Sequence, residues 1–151
     1  MALLVCLAPA KEPITRDSLQ RVAGDLRQRL GPTVLAQRVW QKIVSAKRKK
    51  AVIDSIRGIE EVEFLKEQPG FWLVSVSAKP RLRFQRMIAR DRAGDPTTWP
   101  AFLKNEERDK YSEGRNITVC LKAADFQLIN NSAPEDLYRQ IETVLARIAI
   151  S

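Results

Sequence analysis

Two charged side chains stand close together at the end of an apolar stretch of this sequence. Asp54 and Arg57 follow Val52 and Ile53 in segment 51–58, whose pattern predicts a short buried strand ended by a glycine. At the carboxyl end of a strand, a carboxylate can hold a metal ion or orient a nucleophile, and a guanidinium can bind a phosphate through two hydrogen bonds. The structural alternative is that Asp54 caps the next helix while Arg57 pairs with a surface carboxylate.

A second candidate is a stripe of arginines on a predicted helix that Pro80 opens. Arg83, Arg86 and Arg90 recur three and four residues apart, so they share one helical face, and Arg92 follows shortly after. Because this helix comes directly after a predicted strand, its basic face suits a phosphorylated ligand. The alternative is a solvated basic surface with no ligand.

The composition limits the chemistry that this chain can perform. It has 26 Lys and Arg against 18 Asp and Glu, a net charge of +8 that favours anionic partners: nucleotides, nucleic acids and acidic membrane surfaces, between which charge alone does not choose. It has no histidine, which excludes His-based zinc sites and Ser-His-Asp or Cys-His catalysis. Cys6 and Cys120 lack metal-ligand spacing and predict reduced thiols in the cytoplasm. No stretch predicts a membrane span, so we expect no membrane partner.

Periodicity and breakers place these candidates on an α/β scaffold. Apolar residues at helical spacing predict helices ending near Leu30 and Val44, before the first strand, and Pro134 opens a closing helix. Segments 71–77 and 124–131 predict two further strands, the first apolar enough for a sheet covered on both faces. Strands separated by one helix are almost always parallel. We therefore predict a single α/β domain over residues 1–151, a three-layer sandwich with a short parallel sheet.

The order and spacing of these segments resemble those of the P-loop nucleotide kinases, in particular the dephospho-coenzyme-A-kinase-like and adenylate-kinase-related proteins of archaea and bacteria. The likeness covers roughly residues 12 to 148 and rests on Ala51–Val62, Phe71–Val76, Arg83–Arg86, Arg90–Phe102, Ala123–Asn131 and Leu137. It implies a helical substrate-side insert at residues 12–48 and a basic, lid-like helical hairpin at residues 80–112. It also implies ATP and Mg²⁺ as cofactors, with a nucleotide or a dephospho-coenzyme-A-like acceptor.

The resemblance further implies roles for individual residues. The side chains matching the catalytic and lid positions are Asp54, Arg86, Arg90 and Arg92, with Asp54 also organising the metal. Those matching the acceptor-binding positions are Arg57 and Arg83. Those matching the loop beside the adenine ring are Asn130 and Asn131.

One expected motif does not occur in the sequence. Kinases of this group carry Gly-x-x-x-x-Gly-Lys-Ser/Thr after their first strand, and its backbone amides and lysine cradle the phosphates. None of the six glycines here is followed by lysine. We therefore expect a fold that lacks the first strand and the P-loop, with Met1–Cys6 as a substitute strand.

The resulting hypothesis is a truncated or degenerate nucleotide-kinase-like domain, reduced to binding a nucleotide or another phosphorylated small molecule. Two alternatives stay open. One is a basic nucleic-acid-binding module that uses the arginine helix, with Trp72 or Trp99 as a stacking platform. The other is a scaffold or homo-oligomer that associates through an unpaired sheet edge.

Overall fold

The computed structural model describes residues 16–111 and 116–150, which fold as a mixed α/β protein. Its elements are α1 (Arg16–Leu30), α2 (Val34–Ser45), α3 (Ile59–Lys66), β1 (Val74–Ser77), α4 (Pro80–Arg90), α5 (Trp99–Tyr111), α6 (Ile117–Lys122), β2 (Phe126–Ile129) and α7 (Pro134–Ile150). The chain divides into two compact units, Met1–Phe71 and Trp72–Ser151. Among the described helices, none is long and apolar enough to cross a membrane.

The first unit packs α2 between its neighbours α1 and α3. Ala23 of α1 and Val34 and Leu35 of α2 form one buried cluster. Val62 and Leu65 of α3 are 1% and 0% exposed, the most deeply buried side chains described. The apolar faces predicted from helical spacing therefore point into this core in part, whereas Leu30 and Val44 at the ends of α1 and α2 are exposed.

A glycine separates α1 from α2. Gly31 has φ +95°, the left-handed region that side-chain-bearing residues rarely adopt, and its N–H donates to the carbonyl of Arg27 at 2.9 Å. Glycine in this conformation is a common way to end a helix. The helix end predicted near Leu30 is thus explained by the backbone conformation of Gly31.

The strand predicted at 51–58 does not form. Val52 is 96% exposed, and Ser55 has φ 70°, which interrupts the extended backbone. The segment ends as the entrance to α3, because the Glu61 carboxylate accepts the N–H groups of Arg57 and Gly58 at 3.3 and 3.2 Å. Two β-branched residues do not make a strand without a hydrogen-bonding neighbour. The prediction that a strand at 51–58 runs parallel to the strand at 71–77 across one helix is therefore wrong.

The second unit holds the sheet, in which β1 and β2 run parallel with Val74 opposite Phe126 and Ser77 opposite Ile129. These strands lie inside the predicted segments 71–77 and 124–131. The Asp125 carboxylate fixes the start of the ladder by accepting the N–H of Leu73 at 2.8 Å. The predicted parallel sheet is thus confirmed, but with two strands among the described residues.

The two outer edges of this sheet differ. On β2, Gln140 of α7 accepts the N–H of Ile129 at 2.9 Å and donates to its carbonyl at 3.0 Å, as a neighbouring strand would. On β1, the carbonyls of Leu73 and Ser77 accept hydrogen bonds from β2, so the backbone groups of Val74 and Val76 point to the opposite side. One edge is therefore covered and the other is not covered by any described strand.

The sheet is less buried than its apolar sequence predicts. Leu73 and Leu128 are buried, but Val76 is 53% and Ile129 is 55% exposed. The expectation of a sheet covered on both faces is therefore wrong for the described residues. Met1–Cys6, predicted as a substitute strand, lies outside those residues.

Helices α4 and α5 form a hairpin held by aromatic rings. Phe84 of α4 contacts Trp99 and Phe102 of α5 with ring centroids 5.5 Å apart in both pairs. Phe102 is buried. This cluster orients the arginine face of α4 relative to α5.

Candidate functional site

The carboxyl ends of β1 and β2 lie at the same edge because the strands are parallel. The ladder continues one residue further, where the N–H of Asn130 donates to the carbonyl of Ser77 at 2.7 Å. From this edge one loop leads into α4 and the other into α7. Ligands of open α/β sheets bind at such an edge.

Two side chains tie these loops together. The Oδ1 atom of Asn131 accepts the backbone N–H of Lys79 at 2.7 Å. From α4, Arg86 donates through Nη1 to the carbonyl of Asn130 at 2.8 Å and through Nη2 to that of Ser132 at 3.3 Å. We call these five residues the strand-end site. Of the predicted residues, the structure thus brings Arg86, Asn130 and Asn131 together.

The charge of Arg86 is fixed in place but not neutralised by these contacts. Both acceptors are carbonyl oxygens, and a guanidinium has five N–H donors, so the two bonds leave further donors on the group. Helix α4 begins at the same edge with Lys79 as N-cap, and its first turn has neither a side-chain cap nor an acidic residue. Its N-terminus therefore contributes partial positive charge, and this side of the site attracts anions.

Helix α7 gives the other side of the edge a negative character. Its first turn contains Glu135 and Asp136. Hydrogen bonds from the Ser132 side chain and then from Arg139 lower the pKa of Asp136 below its ordinary 3.8. Arg139 also forms an ion pair with Asp136, while Glu135 beside it adds a further carboxylate, so an anion is favoured on the α4 side of the edge.

The remaining arginines of α4 contact α5 or the loop before it. Arg83 forms an ion pair with Glu106, and Arg90 forms one with Asp95 at 2.6 Å. Arg81 lies over the Trp99 ring with its guanidinium carbon 4.2 Å from the centroid. The stripe read from the sequence as a ligand-binding face thus also serves to hold the helical hairpin.

Arg92 lies just beyond the end of α4. The helix stops at Asp91, whose φ of 45° is left-handed, and Arg92 is exposed. Its carbonyl accepts the N–H of Asp95 at 3.0 Å. The structure therefore places Arg92 in the turn that leads towards α5.

Asp54 and Arg57 belong to the first unit, whereas the other predicted site residues belong to the second. Since no strand forms at 51–58, these two residues lie on a loop. Asp54 is exposed and its Oδ1 accepts the N–H of Ser55 at 2.7 Å. Arg57 is half-buried. Their predicted catalytic and acceptor-binding roles remain predictions.

Glu61 holds this loop in place through hydrogen bonds. It is 4% exposed, and besides the N–H groups of Arg57 and Gly58 it accepts a hydrogen bond from Nη2 of Arg27 at 2.8 Å. A buried carboxylate needs such partners. Glu61 therefore joins α1, the loop and α3.

Sequence reasoning missed Glu61, Lys79 and Ser132. The spacing Gly58-x-x-Glu61 offered a signal, because a glutamate three residues after an N-cap often accepts the N–H of that cap. Lys79 precedes Pro80, a common first helical residue. No local pattern marks Ser132.

The described residues do not form a metal site of their own. Within 16–111 and 116–150, no group of three or more cysteine or acidic side chains could hold a metal ion. Mg²⁺ is usually bound by one or two carboxylates together with substrate phosphates. The Mg²⁺ that the resemblance implies would therefore depend on phosphates of a bound nucleotide.

Comparison with known proteins identifies the family. No family model matches the chain. A UPF0200 protein of Hyperthermus butylicus is 34% identical over 134 residues, covering 89% of this chain and 70% of the relative. UPF0200 proteins of Thermococcus onnurineus and Pyrococcus horikoshii are 31% and 32% identical, and in each the match covers 74% of the relative. These names state no activity, but identity and coverage at this level establish that the chain belongs to the UPF0200 family.

Proposed function

We propose that this UPF0200 chain is a nucleotide-kinase-like domain that binds a nucleotide or another phosphorylated small molecule at the strand-end site. The observation that carries the proposal is the state of Arg86. Two neutral carbonyl oxygens hold its guanidinium beside the ends of two parallel strands, so its charge is positioned but not cancelled. A cation fixed in advance binds a phosphate without losing further side-chain entropy.

Three further features support the proposal. The uncapped N-terminus of α4 lies at the same edge and adds partial positive charge. Asn130 and Asn131 supply amide groups that can hydrogen-bond a base or a ribose. The order of motifs along the chain resembles that of the nucleotide kinases. A cytoplasmic location and a kinase-like α/β fold are part of the same proposal.

For this chain the proposed activity is binding. In the kinases that it resembles, a phosphoryl group passes from ATP to a nucleotide or a dephospho-coenzyme-A-like acceptor, and a P-loop positions the phosphates. The 151 residues contain no such loop. ATP with Mg²⁺ is accordingly proposed as a ligand, without a transfer step.

Isothermal titration calorimetry of the full chain with ATP and Mg²⁺, ADP, and inorganic phosphate tests this function. We expect nucleotide binding with a Kd on the order of micromolar. Arg86→Ala should weaken it about tenfold or more, because a hydrogen bond to a charged group contributes about 1.5 kcal/mol or more. Arg90→Ala should weaken it less, because Asp95 already neutralises Arg90.

Thermal unfolding of each variant checks that the fold survives, since Arg86 also joins two loops. Lys79→Ala is a second probe, because the contact of Lys79 with Asn131 uses the backbone N–H and is retained. This variant should also bind nucleotide more weakly than the unmodified chain. Absence of saturable binding, or equal affinities of the Arg86 and Arg90 variants, would contradict the proposal.

A further inference from the structure

A second concentration of positive charge lies in the first unit, away in sequence from the strand-end site. Between Gly31 and Ile53 the sequence has six basic residues and no acidic residue, a net charge of +6 within a chain of +8. The six are Arg38, Lys42, Lys47, Arg48, Lys49 and Lys50. We call residues 38–50 the basic segment.

The backbone presents this segment at the C-terminal end of α2. Arg38 and Lys42 are four residues apart on the helix and so share one face. The helix then ends in a reversal, in which Lys47 has φ 50° and the N–H of Arg48 donates to the carbonyl of Ile43 at 3.3 Å. All four residues from Lys47 to Lys50 are exposed.

No described acidic residue balances these charges. The ion pairs between described residues involve other arginines, and none of the six basic side chains takes part in them. Cations at a helix C-terminus are favourable within its last turn, which accounts for Lys42. The run up to Lys50 extends beyond that turn, where like charges only repel one another.

A polymer with regularly spaced negative charges would neutralise the positive charge of such a segment. We propose that the basic segment binds the phosphate backbone of a nucleic acid without reading its base sequence. Phosphate contacts need only exposed Lys and Arg side chains, which supply most of the affinity in non-specific binding. This binding is independent of the nucleotide site proposed above, because the segment and that site use different residues.

An anionic membrane is the less favoured partner. Helices that lie on membranes insert an apolar face into the bilayer. In α2 the start of that face is already occupied, because Val34, Leu35 and Ala36 are buried, and Val44 alone offers a large exposed apolar side chain near its end. In the loop that follows α2, all four residues from Lys47 to Lys50 are basic and exposed.

Fluorescence anisotropy with a labelled RNA tests the proposal, using single-stranded and duplex forms of one sequence over a series of salt concentrations. We expect binding to both forms that weakens steeply with salt. Replacing Lys47, Lys49 and Lys50 by Gln should reduce the slope of log K against log salt by about 3 for the duplex, because each phosphate contact contributes about 0.9. At about 0.1 M salt, we expect affinity to fall about tenfold or more.

The matched control replaces Lys104, Lys110 and Lys122 by Gln. These three exposed lysines lie in the second unit, so the net charge changes equally while the basic segment stays intact. The control should bind within about twofold of the unmodified chain, as expected for residues outside the phosphate contacts. Equal losses in both triple variants would show an effect of net charge alone and would overturn the proposal.

Two other outcomes would also overturn it. One is absence of RNA binding at low salt. The other is binding to vesicles of phosphatidylserine and phosphatidylcholine without binding to RNA, which would identify a membrane as the partner. Should the triple variant unfold, Lys49→Gln with Lys50→Gln gives the same test, because no described helix contains these two residues.

Discussion

The basic segment and helix α4 are similar in composition but use their cations differently. In α4, carboxylates pair with Arg83 and Arg90, and Arg86 donates to backbone carbonyls. In the basic segment, no described acidic side chain pairs with any of the six cations. Arg83 and Arg90, which pair with carboxylates, should mainly stabilise the fold, whereas Arg86 and the cations of the basic segment are left to attract a ligand. An abundance of arginine and lysine therefore indicates function only after the partners of these residues are known.

The largest effect is expected for an ion pair of the first unit. Glu61→Ala removes the carboxylate that pairs with Arg27. We expect the free energy of unfolding to fall by about 3 kcal/mol, because breaking a buried pair leaves a charge without compensation. Chemical denaturation measures the change. Glu61→Gln, which can still accept the N–H of Gly58, should lose less. A loss below about 0.5 kcal/mol, typical of surface changes, would contradict the role of Glu61.

Substitution of Lys47 tests the effect of backbone strain separately from the effect of charge in the basic segment. Its φ of 50° is strained for a residue with a side chain, so Lys47→Gly should raise the free energy of unfolding by about 1 kcal/mol. Thermal unfolding measures the shift. Lys49→Gly is the control, because Lys49 has no positive φ and gains nothing from glycine. Stabilisation by both variants would mean that relief of charge repulsion, rather than strain, is responsible.

The pair of Arg83 and Glu106 should show the smallest effect. Their side chains are 41% and 28% exposed, so solvent screens the attraction. A double-mutant cycle with Arg83→Ala and Glu106→Ala should give a coupling energy of about 0.5 kcal/mol. Denaturation of the four proteins at low and high salt measures it. A coupling energy of zero would show that Arg83 behaves like an unpartnered cation, which would contradict the difference drawn between α4 and the basic segment.

Local patterns predicted the helices well. Helical spacing and the prolines at 80 and 134 located α1, α2, α4 and α7 close to their observed positions. They predicted the strand at 51–58 wrongly, because Val52 and Ile53 satisfy a strand preference that only a neighbouring strand can realise. The two strands that do form pair with each other across 52 residues of sequence, a relation that no local pattern contains.

Part of the candidate site was also predicted from the sequence. The resemblance named Arg86, Asn130 and Asn131 as site residues, and the structure brings these three together because the two parallel strands end at one edge. The sequence could not show which carboxylate pairs with which arginine, since Asp91, Asp95, Glu106 and Glu107 all follow Arg83 within 25 residues. It also could not show that Arg86 would have neutral partners, which is the feature on which its proposed role depends.

The side chain of Gln140 limits how this sheet can grow. Polymerisation by strand addition requires every copy to accept a strand at one edge and to offer the other edge to the next copy. The backbone groups of Gln127 and Ile129 point to the outer edge of β2. Gln140 already forms hydrogen bonds with the N–H and the carbonyl of Ile129. One remaining residue is too short a template for a further strand. Association through this sheet would therefore stop at a pair of molecules joined at β1, without propagating into a fibre.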